Sequence, residues 1–325
     1  MVEKIIPPVE PEKIISPVDV DLLLSELTKD NFLRHTNRGG NELYYVQKKT
    51  SPNVMQEIGR LREITFRRAG GGTGKALDVD EYDDVFGQLI TWHPKEKDII
   101  GGYRFACMSD LVVDDKKIAS PTGEIFEFSD TFINEYLPHT IELGRSFVQP
   151  KYQPIQDPRT GLFSLDNLWD GLGTLIVDYP NIKHFFGKVT MYPSFNPQAR
   201  NFILFFLRKY FPDPDNLMHP IFPIPGLEDE IRKLEKEIDL LATFLKHGSY
   251  EDDFKHLMDA VEAAGGGTIP PLVKQYMDLS PTMRSFKTSI SPMFGDVEET
   301  GLLVTIADIY ARKKDRHVNT YKGRG

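Results

Sequence analysis

Cysteine is almost missing from this chain of 325 residues: Cys107 stands alone. That excludes an internal disulfide and any zinc site built from several thiolates. Long apolar runs are missing too. No stretch approaches the ~20 apolar residues of a membrane span, and the opening Met1 to Pro8 has no signal-peptide core. There is no excess of positive charge: 39 Lys and Arg against 48 Asp and Glu give a net −9 and a pI near 5.5, which argues against nucleic acid as a partner. A cytoplasmic setting is the expectation, with the inner membrane face as a possible place of work. What remains is ordinary for a globular protein, 40% apolar and 27% charged, with length enough for a large core.

The most unusual stretch runs from Thr140 to Gln149, Thr-Ile-Glu-Leu-Gly-Arg-Ser-Phe-Val-Gln. It has the character of a core strand but holds Glu142, Gly144 and Arg145 in its middle. Strict alternation puts Arg145 with Ile141, Leu143 and Phe147, and Glu142 on the opposite face. A buried guanidinium needs a partner. A bulge at or next to Gly144 would resolve this, because one extra residue brings Glu142 and Arg145 onto the same face.

Around this strand the pattern predicts an extended, proline-rich arm over 1–18 and a short helix over 19–27. A strand over 42–49 follows. Ser51-Pro52 then supplies a cap and an N1 proline for a helix to about Arg67. Strands are predicted over 85–92 and 98–107, a helix capped by Ser164 over 165–179, a strand over 184–192, and a helix from Pro197 to about Phe211. Five prolines in 212–225 mark a connector. An inserted helical hairpin over 226–266, a short helix over 270–279 and a last hairpin, 286–294 and 300–309, complete the chain.

This order resembles the GNAT acyltransferase fold, a mixed, mostly antiparallel α/β (α+β) sheet with flanking helices, whose bulged fourth strand splays from the fifth. Leu61-Arg62 with Phe66, then Asp78, Asp80, Tyr82 and Asp83, then Gly102-Tyr103-Arg104, then Glu142-Leu-Gly-Arg145 with Val148 and Pro150, form a spaced series. The series is similar to the hemolysin-like, ornithine-lipid branch of N-acyltransferases, related to acyl-homoserine-lactone synthases. The resemblance covers about residues 42–310. It leaves an arm over 1–41, the hairpin insert and a basic tail over 311–325 outside.

The resemblance implies an enzyme of amino-acid lipid synthesis, moving a (3-hydroxy) fatty acyl group from acyl carrier protein to the amine of glycine or ornithine. The implied co-substrate is acyl-ACP, a phosphopantetheine thioester, or acyl-CoA, with no metal. A lactone synthase and a non-catalytic acyl-carrier-binding module are the alternatives. Such chemistry needs a base, an oxyanion donor and alignment. Glu142 is the candidate base, its pKa raised by partial burial; a salt bridge to Arg145 or Arg104 is the structural alternative. Arg104 and Arg145 suit a substrate carboxylate, whereas Arg62 by itself reads as structural.

With Arg62, the resemblance assigns Phe66, Asp78, Asp80 and Asp83 to acceptor binding, the aspartates as a lid receiving the amine. Ser146, Val148, Lys151, Arg159 and Trp169 are the candidates for donor binding. The turn over 157–164 departs from the glycine-rich pyrophosphate turn of acetyl-CoA users, which favours a carrier-protein donor. Gly70 to Lys75 follows a helix rather than a strand and is no phosphate loop. The aspartates lack the glycine and terminal glutamate of a calcium loop. The last fifteen residues carry six basic groups against Asp315, a possible contact with anionic lipid or with the carrier.

Overall fold

A computed structural model describes residues 10–114, 117–153, 158–241 and 249–323. Among these, eight strands make one sheet: β1 (Phe32–His35), β2 (Glu42–Val46), β3 (Gly87–His93), β4 (Asp98–Cys107), β5 (Thr140–Val148), β6 (His184–Met191), β7 (Arg284–Ser291) and β8 (Val297–Thr305). Their order is β1-β2-β3-β4-β5-β6-β8-β7. Every neighbouring pair is antiparallel except β5 and β6, which are parallel. This is the mixed, mostly antiparallel sheet that the element order predicts. β1 escapes the sequence reading because four residues, Phe-Leu-Arg-His, are too few to show a period. The final hairpin begins two to three residues earlier than expected and turns at Pro292–Asp296, where Gly295 and Asp296 both take positive φ.

The helices are α1 (Val20–Glu26), α2 (Pro52–Arg68), α3 (Pro158–Asp178), α4 (Pro197–Tyr210), α5 (Leu227–Leu241), α6 (Tyr250–Ala263), α7 (Pro271–Met277) and α8 (Ala311–His317). α2 covers one face of the sheet. Its Val54, Ile58, Leu61 and Phe66, at helical spacing, pack with Tyr44, Ile90, Trp92 and Phe147. α3 and α4 cover the other face, where Leu168, Leu172, Ile203 and Phe206 pack with Leu89, Tyr103, Leu143, Val148 and Val189. Leu227 and Ile231 of α5 and Leu257 and Val261 of α6 join this same core.

Two expected caps are otherwise. Ser51 precedes α2 but makes no capping hydrogen bond. Glu26 closes that end instead, accepting from the Asn53 N–H at 3.1 Å and the Val54 N–H at 2.8 Å. Ser164 lies inside α3, which starts at Pro158, and its hydroxyl donates to the Tyr152 carbonyl at 3.1 Å.

The tail is folded over the described residues. α8 lies on α3, with the buried His317 Nδ1 2.8 Å from Asp170 Oδ1 and Arg316 paired with Asp166. A Cβ on Gly173 would fall 2.0 Å from the His317 carbonyl, so the contact is made through the missing side chain. The arm lies along the glycine loop, the Glu12 N–H donating to the Gly74 carbonyl at 2.8 Å.

Candidate active site

The site is built where the sheet opens. β5 and β6 pair only at Thr140–His184, Ile141–Phe185 and Glu142–Phe186. Beyond Glu142 the two parallel strands are unpaired, while β5 stays on β4. The ladder with β4 skips: Gly102 faces Phe147 and Arg104 faces Gly144, leaving Arg145 and Ser146 opposite Tyr103 alone. That is a bulge. The residue that takes the left-handed backbone is Arg145, with φ +50°, rather than Gly144, so the glycine adjoins the bulge and does not make it.

The bulge resets the alternation. Leu143 and Val148 join the α3 core and Phe147 joins the α2 core. Glu142 and Arg145 therefore share the α2 face, across the bulge. A cavity of about 740 Å³ runs through the opening and reaches both faces. Phe66, Arg104, Glu142, Arg145, Lys188, Tyr192, Phe294 and Glu299 line its polar end, and the larger part is apolar, walled by Tyr103, Leu168, Trp169, Leu172, Val273 and Tyr276.

Three arginines and three aspartates form a network beside the polar end, buried at Arg62, Arg104, Asp78 and Asp83 and partly exposed at Asp80 and Arg145. Asp83 accepts from Arg62 Nη1 at 3.0 Å and Arg104 Nη1 at 3.2 Å. Arg104 Nη1 also reaches Asp80 at 2.6 Å, and Arg145 Nε lies 2.9 Å from Asp78 Oδ2. Burial pushes the Asp83 carboxyl up, but the two guanidiniums outweigh it and hold it well below the usual range. Asp78, Asp80 and Asp83, expected at the acceptor's amine, have their carboxylates engaged by arginines and do not line the cavity. Arg104 is not an open carboxylate fork: it is 1% exposed with Nη1 engaged. Arg145, with its side chain 14% exposed and its guanidinium 4.0 Å from the Phe294 ring centre, is the cation of the three that faces the cavity most openly.

Glu142 makes no salt bridge with Arg145 or Arg104. Its Oε1 accepts from the Thr122 hydroxyl at 2.5 Å, Thr122 Oγ1 accepts from Lys188 Nζ at 2.8 Å, and Lys188 Nζ is 3.4 Å from Glu299 Oε2. Oε2 of Glu142 is buried with no hydrogen-bond partner. The group is 1% exposed and sits on the cavity wall, at the last paired position before the strands part.

Of the donor candidates, Ser146, Val148 and Trp169 line the cavity, as does Phe66 on the other side. Trp169 donates its indole N–H to Gln275 at 2.5 Å. Lys151 does not line it: it is exposed and pairs with Asp98 at 3.0 Å on the β3–β4 hairpin. The side chain of Arg159 lies outside the described residues. The Gly70–Lys75 turn holds a carboxylate, not a phosphate. Glu63 there accepts from the Thr73 N–H at 3.0 Å, the Thr73 hydroxyl at 2.8 Å and the Gly74 N–H at 2.9 Å.

An acetyltransferase (GNAT) domain model matches residues 61–158, which contain the α2 arginine, the acidic loop and the bulged strand. A glycine N(alpha)-acyltransferase of Phocaeicola vulgatus is 48% identical over 324 residues, spanning 98% of this chain and 94% of its own. A Bacteroides thetaiotaomicron protein of the same name is 48% identical over 326 residues, spanning 98% and 91%. The chain belongs to this family of GNAT N-acyltransferases. A solved CoA-dependent acyl-homoserine lactone synthase with SAM and isopentyl-CoA is 17% identical, over 47% of this chain and 68% of that one, with a TM-score of 0.29. That likeness is too slight to argue from.

The sequence reading of this acyltransferase missed Thr122, Lys188 and Glu299. A signal for one of them was present. Lys188 is a charge inside a largely apolar strand, the same oddity that singles out Glu142, whereas Glu299 follows Glu298 just outside the strand expected over 300–309. Thr122, in a polar turn between Pro121 and Gly123, carries no signal of its own.

Proposed function

We propose that this acyltransferase moves a fatty acyl group, 3-hydroxylated in the fullest form of the reading, from the phosphopantetheine of acyl carrier protein to the amine of glycine. The observation that carries it is Glu142 Oε2, a buried, unpartnered carboxylate oxygen on the wall of the cavity where the sheet opens. An unpaired carboxylate in such a place is costly unless a cation meets it. A substrate ammonium supplies that cation. Arg145 on the same face takes the acceptor's carboxylate, and the apolar end of the cavity takes the acyl chain. The acceptor follows the names of the two relatives.

In the reaction the ammonium gives one proton to Glu142, and the freed amine attacks the thioester carbonyl. The C–N bond forms and the C–S bond breaks. The amide nitrogen loses a second proton, the thiolate leaves as a thiol by taking one, and one proton goes to solvent. Backbone N–H groups freed from the ladder at the Arg145–Ser146 bulge are the donors for the oxyanion. The carrier-protein donor rests on the absence of a glycine-rich pyrophosphate turn over 157–164. Contact with anionic lipid through Arg312 and Lys314 of α8 completes the reading.

Purified protein incubated with acyl-ACP, acyl-CoA, glycine, ornithine and S-adenosylmethionine, read by mass spectrometry, tests it. N-acylglycine formed faster from acyl-ACP supports it. N-acylornithine alone, or a lactone, overturns the acceptor; a preference for CoA overturns the donor. Full turnover by Glu142→Gln removes the base.

A further inference from the structure

The Arg62, Arg104, Arg145 and Asp78, Asp80, Asp83 network balances three positive charges with three negative ones. The neighbouring chain Glu142–Thr122–Lys188–Glu299 does not: two carboxylates share one ammonium, and all four groups are buried or nearly so. Lys188 and Glu299 are about 10% and 9% exposed. We propose that Lys188 and Glu299 act as a positioning pair that sets the proton affinity of Glu142 through the Thr122 hydroxyl and directs the incoming proton to its Oε2. The inference rests on the reading of Glu142 as the base.

The direction of the hydrogen bonds carries it. Lys188 has only donors, so Thr122 Oγ1 must accept from it, and the single Thr122 O–H is then committed to Glu142 Oε1. A chain of donors ending on a carboxylate polarises along its length and favours the ionised form. Protonation of Oε1 would leave the Thr122 O–H without an acceptor, whereas protonation of Oε2 disturbs nothing. The proton is therefore taken on the one oxygen without a partner.

Glu299 opposes this. Its negative charge, 3.4 Å from Lys188 Nζ, offsets part of the positive field at Glu142. The other charged or titratable groups lining the same end are Arg104 from β4, Arg145 from β5, Tyr192 after β6 and Arg68 at the end of α2. Arg104, which is buried, pairs with Asp80 and Asp83, and the partly exposed end of Arg145 faces the cavity while its Nε pairs with Asp78. The unbalanced unit of negative charge lies on Glu142, Lys188 and Glu299, and a cationic amine neutralises it.

The test is the pH dependence of kcat/KM for the full chain with acyl-ACP and glycine, whose acidic limb reports the base. Lys188→Met is expected to move that limb up by about one pH unit, because a positive neighbour is lost at a distance of a few ångströms. Glu299→Gln is expected to move it down. Thr122→Val moves it up and Thr122→Ser restores the parental position. Circular dichroism checks the fold of each variant, and if Lys188→Met is unfolded the Thr122 pair carries the test. Lower activity with an unmoved limb, or shifts of the same sign in Lys188→Met and Glu299→Gln, overturns the inference while the base reading stands. Undiminished activity of Glu142→Gln overturns the base reading itself.

Discussion

Asp83→Asn is the sharpest test of what holds the site together. Asp83 Oδ1 accepts from both Arg62 at 3.0 Å and Arg104 at 3.2 Å, with Gln88 Nε2 also at 3.0 Å. Both guanidiniums are essentially inaccessible to water. The amide keeps the shape and removes the charge, so Arg62 loses its only carboxylate in the network while Arg104 keeps Asp80. Breaking one partner of a buried ion pair costs about 3–5 kcal/mol. With an unfolding entropy of roughly 2.1 cal/mol/K per residue over 325 residues, that becomes a fall in Tm of about 4–7 °C. Thermal melts followed by circular dichroism measure it. Asp83 is depressed in the folded state, so its contribution is fully present above its unfolded pKa of about 3.9 and fades as pH drops through the folded value. The gap between parent and variant should thus be full at neutral pH and narrow below about pH 4. Adding Arg62→Met to Asp83→Asn should recover part of the loss, because the orphaned charge goes with it. A variant melting within 1 °C of the parent at pH 7, or a double variant no better than the single, refutes this account.

Gly144→Ala should leave Tm within about 2 °C of the parent, since a Cβ there meets nothing nearer than 3.7 Å; a large loss would show that the glycine itself makes the bulge. Gly187→Ala should lower kcat/KM on the longest acyl donors and destabilise by about 1–3 kcal/mol, because its Cβ falls 2.2 Å from the Tyr276 hydroxyl; unchanged melts and kinetics would count against it. Leu172→Trp narrows the apolar end of the cavity, and relative rates across a series of acyl lengths should fall about tenfold for the longest chains while the shortest are spared. Equal losses at every length would place the chain elsewhere. Removing residues 311–325 takes α8 from α3 and should lower Tm by several degrees, and liposome sedimentation of the two forms decides the lipid contact; equal binding ends that idea.

Much of the frame is legible in sequence because it is local. Asn196 before Pro197 announces α4, and its side chain does accept from the Gln198 N–H at 2.8 Å. The Glu142-Leu-Gly-Arg145 stretch points to a bulge because no regular strand accommodates its charges. What is not legible is partner choice. The acidic loop and the arginines are visible as composition, but which carboxylate meets which guanidinium depends on β3, β4 and β5 lying side by side under α2. Hence the aspartates look like a lid for an amine in sequence, and only the fold shows that they pair with Arg62, Arg104 and Arg145. The cap at Ser51 fails for a similar reason: Glu26, from a helix 25 residues earlier, is already there.

Which residue of the bulge takes the left-handed backbone matters. Positive φ favours glycine, and a side chain in the left-handed region costs about 1 kcal/mol. Sequence reasoning therefore places the bulge at or next to Gly144, and it lies next to it. The left-handed residue is Arg145, and the surroundings determine its place: Asp78 holds Nε, Asp80 Oδ2 lies 3.7 Å from Nη2, and Phe294 lies 4.0 Å beneath the guanidinium. The strain is offset by a salt bridge and a cation–π contact that a glycine could not make. A glycine at the left-handed position would have left no cation on the face that Glu142 shares. On the mechanism proposed above, putting the arginine at the bulge couples two requirements of the reaction on one face, a base and a cation for the acceptor's carboxylate. At Gly144 a Cβ would make only ordinary contacts with the Arg104 stem, 3.7 Å from its Cγ and Nε, so neither space nor backbone demands glycine at this position.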